Sequence, residues 1–420
     1  MKKFLILFLL IPIIFFLLLG SIKDTKYYNK ILIISDFLFP EMISSTIRMI
    51  SNNRVNAQRI KNDYNKLFLP DTQYAKVELI KIPLDFIKIS DVGYLNVFKR
   101  KSFYIDIFKD YLIVMPKNGN FYFKSIDLLM DEDKKFKKIK SNISNTNALD
   151  LYIDKNEIYI SYVREMNKCK YLYLAKANID LKELIFKDIF SIKNECMNNI
   201  QGGRIQKLFK NDKSYILLST SANSLEKEDQ SDDKPQSENS LYGKIIAIDN
   251  INKLNKIYSK GHRNIIGLSV IENIILATEN GPYGGDEINL IKENENYGWD
   301  IASHGKKYST PEDEGEYKSH EENGYQEPIF SFIPSLGISE IIKIDNNFDK
   351  DWKNNYLIGS LNHKHILRIK MNKDYSKLEY YEDIYIGERI RDLKYYIKNS
   401  TVFMALENSG SIGILKKLNN

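Results

Sequence analysis

From about residue 77 onward the chain repeats one short pattern. Apolar runs rich in Ile, Tyr, Phe and Val alternate with Asn, Asp, Lys and Gly, as in "FYIDIF", "YLIVMP", "EIYISYV", "SYILLST", "KIIAID", "NIILAT" and "TVFMAL". Branched and aromatic side chains pack well on a pleated surface, and the residues between favour turns, so these runs predict strands. Helical periodicity is confined to roughly 41–68, where one or two amphipathic helices are expected. About twenty strands are too many for a single sandwich. At four strands per blade, they predict an all-β propeller of about five to six blades. No tight repeat is visible, so the blades are expected to diverge in sequence.

The first residues, "MKKFLILFLLIPIIFFLLLGSIKD", follow a different pattern. Two lysines precede an apolar run from Phe4 to Leu19, which has the layout of a secretory signal. At ~1.5 Å per residue the run spans about 25 Å, short of the ~30 Å hydrocarbon core. Residues 1–22 therefore read as a cleaved signal peptide or an uncleaved membrane anchor. Either exports the rest, to the periplasm or to the periplasmic face of the inner membrane. Residues 23–89 read as a partly helical segment without assigned role, and 90–420 as the propeller. Two polar stretches, 221–240 and 308–328, read as exposed loops.

Composition narrows the partners. Sixty-one Lys and Arg face 55 Asp and Glu, a net charge of +6 spread thinly along the chain. Nucleic acid needs basic residues clustered on one face, so it is not expected as a partner. The two cysteines, Cys169 and Cys196, allow a disulfide in an exported protein or two partly buried thiols. Both readings stay open.

Candidate chemistry begins at "ATENGPYGGDEINLIKENENYGWD", residues 277–300. Gly281, Gly284 and Gly285 fall within five positions of a chain that has 20 glycines in all. Glycine admits positive φ and close approach of the backbone to a ligand. Carbonyls of the Gly281-Pro282 turn with Asp286 and Glu287 make the hard-oxygen set that Ca²⁺ prefers; an acidic hairpin turn without metal is the plainer reading. Upstream stand His262, Arg263 and Asn264, and downstream Arg389 and Arg391 lie on one side of an extended strand. Arginine forks suit a polyanionic ligand.

Taken together and in order, "GHRNIIGL", "ATENGPYGGDEINLI", "ENENYGW", "EPIFSFIPSLGISEI" and "GERIRDL" resemble the soluble aldose sugar dehydrogenases, the glucose/sorbosone dehydrogenase family. The resemblance is close over 258–393 and looser over 90–257. It implies a periplasmic six-bladed propeller that uses pyrroloquinoline quinone (PQQ) and calcium to oxidise an aldose to its lactone. By position it implies Gly281 and Pro282 as carbonyl ligands of the calcium on the quinone, and Glu287 and Tyr297 as members of a second calcium site. It implies Arg263, Asn264, Asn280, Asn362, Arg389 and Arg391 as contacts to the cofactor, which is a tricarboxylate.

The departures from the family pattern fall on the chemistry. In "NNIQGGRIQ", Ile200 stands where the family carries its general-base histidine, and Gln201 beside it is no base. Thr220 or Ser221 replaces an expected aspartate, and Asn362 an expected lysine, with His363, Lys364 and His365 alongside. The stretch "NTNALD", 145–150, lacks the expected glutamine and glycines. His304 is the weak candidate for a substitute base. Two readings follow: a PQQ-dependent sugar dehydrogenase with an unnamed electron acceptor, or a catalytically degenerate propeller binding a glycan or protein partner.

Overall fold

Six antiparallel sheets of the computed structural model, which describes residues 77–87, 90–91, 99–222, 233–282, 284–306 and 317–417, stand side by side around an axis. The expected signal or anchor, the helices over 41–68, half of the 221–240 stretch and residues 308–316 of the second polar stretch lie outside the described residues. Among those described, no helix is long and apolar enough to cross a membrane.

Each blade is an up-and-down sheet. The first has Phe103–Phe108, Tyr111–Pro116, Phe121–Ser125 and Lys137–Ser141, with Glu183–Leu184 added in parallel at its outer edge. The second has Asn147–Asp154, Glu157–Met166, Cys169–Asn178 and Lys187–Ser191; the third Gly202–Lys210, Lys213–Thr220, Lys244–Asp249 and Asn255–Lys260. The fourth has Ile265–Ile271, Ile274–Glu279, Asp286–Leu290 and Phe330–Phe332; the fifth Ile338–Lys343, Asn355–Ser360, His365–Met371 and Leu378–Tyr385. The sixth takes Ile390–Tyr396, Thr401–Leu406 and Ser411–Lys417 from one end of the chain and its outer strand, Val77–Pro83, from the other. The propeller therefore begins earlier than residue 90. The first strand of each blade packs on the first strand of the next, and the sixth returns to the first, so the ring is closed and six-bladed.

The apolar residues form six clusters, one between each pair of neighbouring blades. Alternation along the strand produces this division, because successive side chains point to opposite faces of a sheet. In Ile274–Glu279, Ile275 and Ala277 pack toward the third blade while Leu276 packs toward the fifth. Each fully buried Leu, Ile or Phe contributes roughly 1.5–3 kcal/mol.

The axis is polar. Arg204, on the first strand of the third blade, is 2 % exposed and reaches Asp150 at 2.7 Å, Glu340 at 3.0 Å and Asp392 at 3.5 Å, on blades two, five and six. Its Nε donates to the carbonyl of Ile266 on blade four at 2.6 Å. Carboxylates also latch one first strand to the next. Asp106 accepts from Ile153 N at 2.8 Å, Asp150 from Ile205 N at 2.8 Å, and Asp392 from Ile105 N at 2.9 Å.

Cys169 and Cys196 form a disulfide. It joins the start of the third strand of the second blade to the segment leading into the third blade. Lys170 and Met197 exchange backbone hydrogen bonds of 3.0 and 3.3 Å beside it.

Candidate functional site

In an antiparallel blade, the start of the first strand and the end of the second lie at the same end. Most residues singled out by sequence occupy one of these two places or an adjoining turn, while Glu287 lies on the third strand of blade four and Tyr297 and His304 in the insertion after it. Ile200 and Gln201 precede the first strand of blade three, and Thr220 and Ser221 end its second. Arg263 and Asn264 precede the first strand of blade four, and Asn280 follows its second. Asn362 follows the second strand of blade five, while Arg389 and Arg391 stand at the start of blade six. The topology thus gathers scattered motifs on one face of the propeller.

The turn 280–285 at this face is shaped by its glycines. A Cβ on Gly281 would meet Gly285 O at 2.2 Å, and Gly285 holds φ at +72°; only glycine fits the first position and relaxes the second. Asp286 fastens the turn. Its Oδ1 accepts from Gly281 N at 3.0 Å, and its Oδ2 from the amides of Leu336, Gly337 and Ile338 at 2.9, 2.6 and 3.2 Å. The turn borders a depression lined by Gly281, Pro282, Glu279, Glu287, Tyr297 and Trp299, among others.

Glu287 is buried, and burial together with the neighbouring Glu279 carboxylate raises its pKa well above the ordinary range. A cation would relieve that repulsion, so the oxygen donors here fit a hard metal ion. Glu279 itself is committed: its Oε2 lies 3.1 Å from His262 Nδ1, and its Oε1 accepts from the amides of Arg263 and Asn264. His262, wholly buried, also meets Ser259 Oγ at 2.8 Å and stacks on Tyr297, so its role is positional. The Tyr297 hydroxyl donates to Leu290 O at 2.6 Å and accepts from Lys292 N at 2.9 Å.

Around the axis the polar groups interlock. Arg263 Nη1 donates to Asn280 O at 2.9 Å, with the guanidinium 5.2 Å from the Trp299 ring centre. Asn280 Nδ2 donates to Ile338 O at 3.0 Å. Asn264 Nδ2 donates to Gln201 Oε1 at 3.1 Å, and its buried Oδ1 has no hydrogen-bond partner among the described residues. Ser221 Oγ accepts from Gln201 N at 3.0 Å. Arg389 Nη1 donates to Asn362 Oδ1 at 2.9 Å.

Glu407, fully buried at the end of the second strand of blade six, escaped the sequence reading. Its carboxylate takes Nε of Arg389 at 3.1 Å, Nε of Arg391 at 2.6 Å and the Ser102 hydroxyl at 2.6 Å. The two arginines and the hydrogen bonds outweigh burial and hold its pKa far below the carboxylate range. Lys117, at the end of the second strand of blade one, was also missed. Burial, then Arg391, Arg100 and Lys170, lower its ammonium to about 8, against Glu407 alone pulling it upward. One carboxylate among so many cations leaves this sector electropositive, as a polycarboxylate site requires. No local motif marks either residue: Arg389 and Arg391 reach Glu407 across the paired first and second strands of blade six, and Lys117 comes from blade one.

Ile200 is 2 % exposed and belongs to the apolar cluster between blades two and three, beside Leu149, Met197 and Ile205. His304 lies on the insertion of blade four, with Nε2 3.0 Å from Glu327 Oε2. His363 and His365 are both 4 % exposed and stacked 3.9 Å apart, and burial with the neighbouring imidazole lowers His365 to about 4.

Comparison with known proteins places this architecture. The profile of the Glucose / Sorbosone dehydrogenase family matches residues 146–415. The chain belongs to that family. Aldose sugar dehydrogenase YliI of Escherichia coli (strain K12) is 31% identical over 166 residues, 37% of this chain and 43% of that protein. An uncharacterized protein of Synechocystis sp., slr1608, is 28% identical over 159 residues, 37% of this chain and 38% of its own length. Each match spans less than half of the relative. Among solved structures, the apo-form of the soluble aldose sugar dehydrogenase from Escherichia coli aligns with a TM-score of 0.65 at 19% identity, over 82% of this chain and 100% of that one. The PQQ-bound form of an aldose sugar dehydrogenase from Streptomyces coelicolor aligns with a TM-score of 0.54 at 15% identity, over 82% and 99%. At such identities these two structures speak for the fold, which is the family's six-bladed propeller.

Proposed function

We propose that this member of the Glucose / Sorbosone dehydrogenase family is a PQQ-dependent sugar dehydrogenase that oxidises an aldose to its lactone at the face described above. The observation that carries the reading is the convergence of Arg389 and Arg391 on one carboxylate, Glu407, with the Lys117 ammonium within electrostatic reach. A compact set of cations with a single internal counter-charge suits a tricarboxylate. Asn264 and Asn280 would meet the same ligand from blade four, and Asn362 from blade five. The carbonyls of Gly281 and Pro282 would hold the calcium beside it, with Glu287 and Tyr297 at a second calcium position behind the turn.

When bound, the quinone supplies the two-electron acceptor for the sugar's anomeric C–H. The sugar's hydroxyl proton must also be taken up, and Ile200, buried among apolar side chains, has no basic atom to accept it. The export expected from the N-terminal pattern would place the reaction outside the cytoplasm.

Steady-state oxidation of a panel of aldoses by protein loaded with PQQ and Ca²⁺, with an artificial electron acceptor, tests the assignment. The expected result is turnover that requires both PQQ and Ca²⁺, with half-saturation by PQQ raised at least about tenfold in Lys117→Met, which removes one cation of the set. PQQ bound without turnover on any aldose would instead favour a binding module, the reading that the buried Ile200 supports.

A further inference from the structure

We propose that His304, His320 and Glu327 form a site for a borderline divalent transition ion, with Zn²⁺ as the best match, distinct from the oxygen-lined depression beside the glycine turn. All three lie in the insertion between the third and fourth strands of blade four. The backbone holds its two limbs in register: Ala302 and Lys318 form a parallel bridge, with Lys318 N donating to Ile301 O at 3.0 Å and Ser303 N to Lys318 O at 3.3 Å. His304 and His320 each stand two residues beyond that bridge. The pairing brings the two imidazoles together.

Their rings lie 5.0 Å apart with planes 25° from parallel. One donor atom from each of His304, His320 and Glu327 lies within 4.8 Å of the other two. Zinc at ~2.0–2.2 Å from each ligand would hold them about 3.4 Å apart. Closing that gap needs movement only of His304 and Glu327, whose side chains are 37% and 43% exposed. His320 is the fixed point.

A second observation points to an ion. His320 is 1% exposed, yet its Nδ1 has no hydrogen-bond partner among the described residues. Its Nε2 lies 3.8 Å from Glu287 Oε1, beyond hydrogen-bond distance. The Tyr297 backbone holds the ring by a hydrogen bond, and a buried ring nitrogen is rarely left unpaired. Two imidazoles and a carboxylate select zinc-like ions over Ca²⁺, which takes six to eight oxygens. The ion would brace the insertion against the glycine turn, because Gly305, next to His304, packs against Pro282 and Gly285.

Titration of Zn²⁺ into the metal-stripped full chain, followed by calorimetry and by the visible bands of Co²⁺ in its place, tests the site without reference to any quinone. One ion per chain is expected, with tetrahedral-type Co²⁺ bands, retained in excess Ca²⁺. Affinity should fall at least about tenfold in His304→Ala and in Glu327→Gln, exposed positions whose replacement leaves the fold intact. Absence of stoichiometric Zn²⁺ binding, or equal affinity in both variants, would overturn the proposal, as would complete displacement by equimolar Ca²⁺.

Discussion

At the scale of single residues, Glu407 does more than any other side chain to shape the face. It is buried between Arg389 and Arg391 and fixes both guanidinium forks through their Nε atoms. Its pKa is held below the unfolded value of about 4.3. It therefore contributes stability above that value, and the contribution is lost as the pH falls through the folded-state pKa. Glu407→Gln should cost roughly 2–4 kcal/mol, because two half-buried arginines would lose the counter-charge of a buried carboxylate. Chemical denaturation at neutral pH should show this, together with a shallower acid limb of the stability curve.

At the scale of elements, the disulfide and the glycine turn set where the chemistry sits. Cys169–Cys196 closes a loop with a sequence separation of 27 and secures the segment that carries Ile200 and Gln201. Replacing both cysteines by serine should destabilise the protein by about 3 kcal/mol, read as a lower melting temperature in the absence of reductant. Much at this scale was legible beforehand. Short apolar runs announced the strands, and the glycines of 281–285 announced the tight turn found there. The limits were equally physical. Pairing of the cysteines depended on where Lys170 and Met197 meet, and no spacing rule fixes that. Lys117 and Glu407 stand among ordinary strand ends; strand pairing within blade six brings Glu407 to Arg391, and closure of the ring brings Lys117 from blade one. Strand Val77–Pro83 was assigned to the N-terminal segment because its partner, Ser411–Lys417, lies at the other end of the chain.

At the scale of the whole molecule, one buried network joins the blades. Four axial carboxylates, Asp106, Asp150, Glu340 and Asp392, face two cations, Arg204 and Lys394, and the deficit has consequences. Burial raises Asp106 to about 6 and Glu340 to about 7. The folded state therefore binds more protons than the unfolded chain between the ordinary carboxylate range and about pH 7, so this network's contribution falls as the pH rises through that window. Glu340→Gln should flatten the decline in melting temperature there. Arg204→Met should cost roughly 3–5 kcal/mol by leaving the carboxylates of three blades without their shared cation. The same ring closure makes the electropositive face, on which the functional proposal depends. Calorimetric titration of PQQ into the full chain, with and without Ca²⁺, tests that proposal most directly. The account predicts one PQQ per chain at micromolar or tighter affinity, dependent on Ca²⁺, and weakened at least about tenfold in Arg391→Met. No heat of binding with Ca²⁺ present, from protein whose fold is intact, would contradict it.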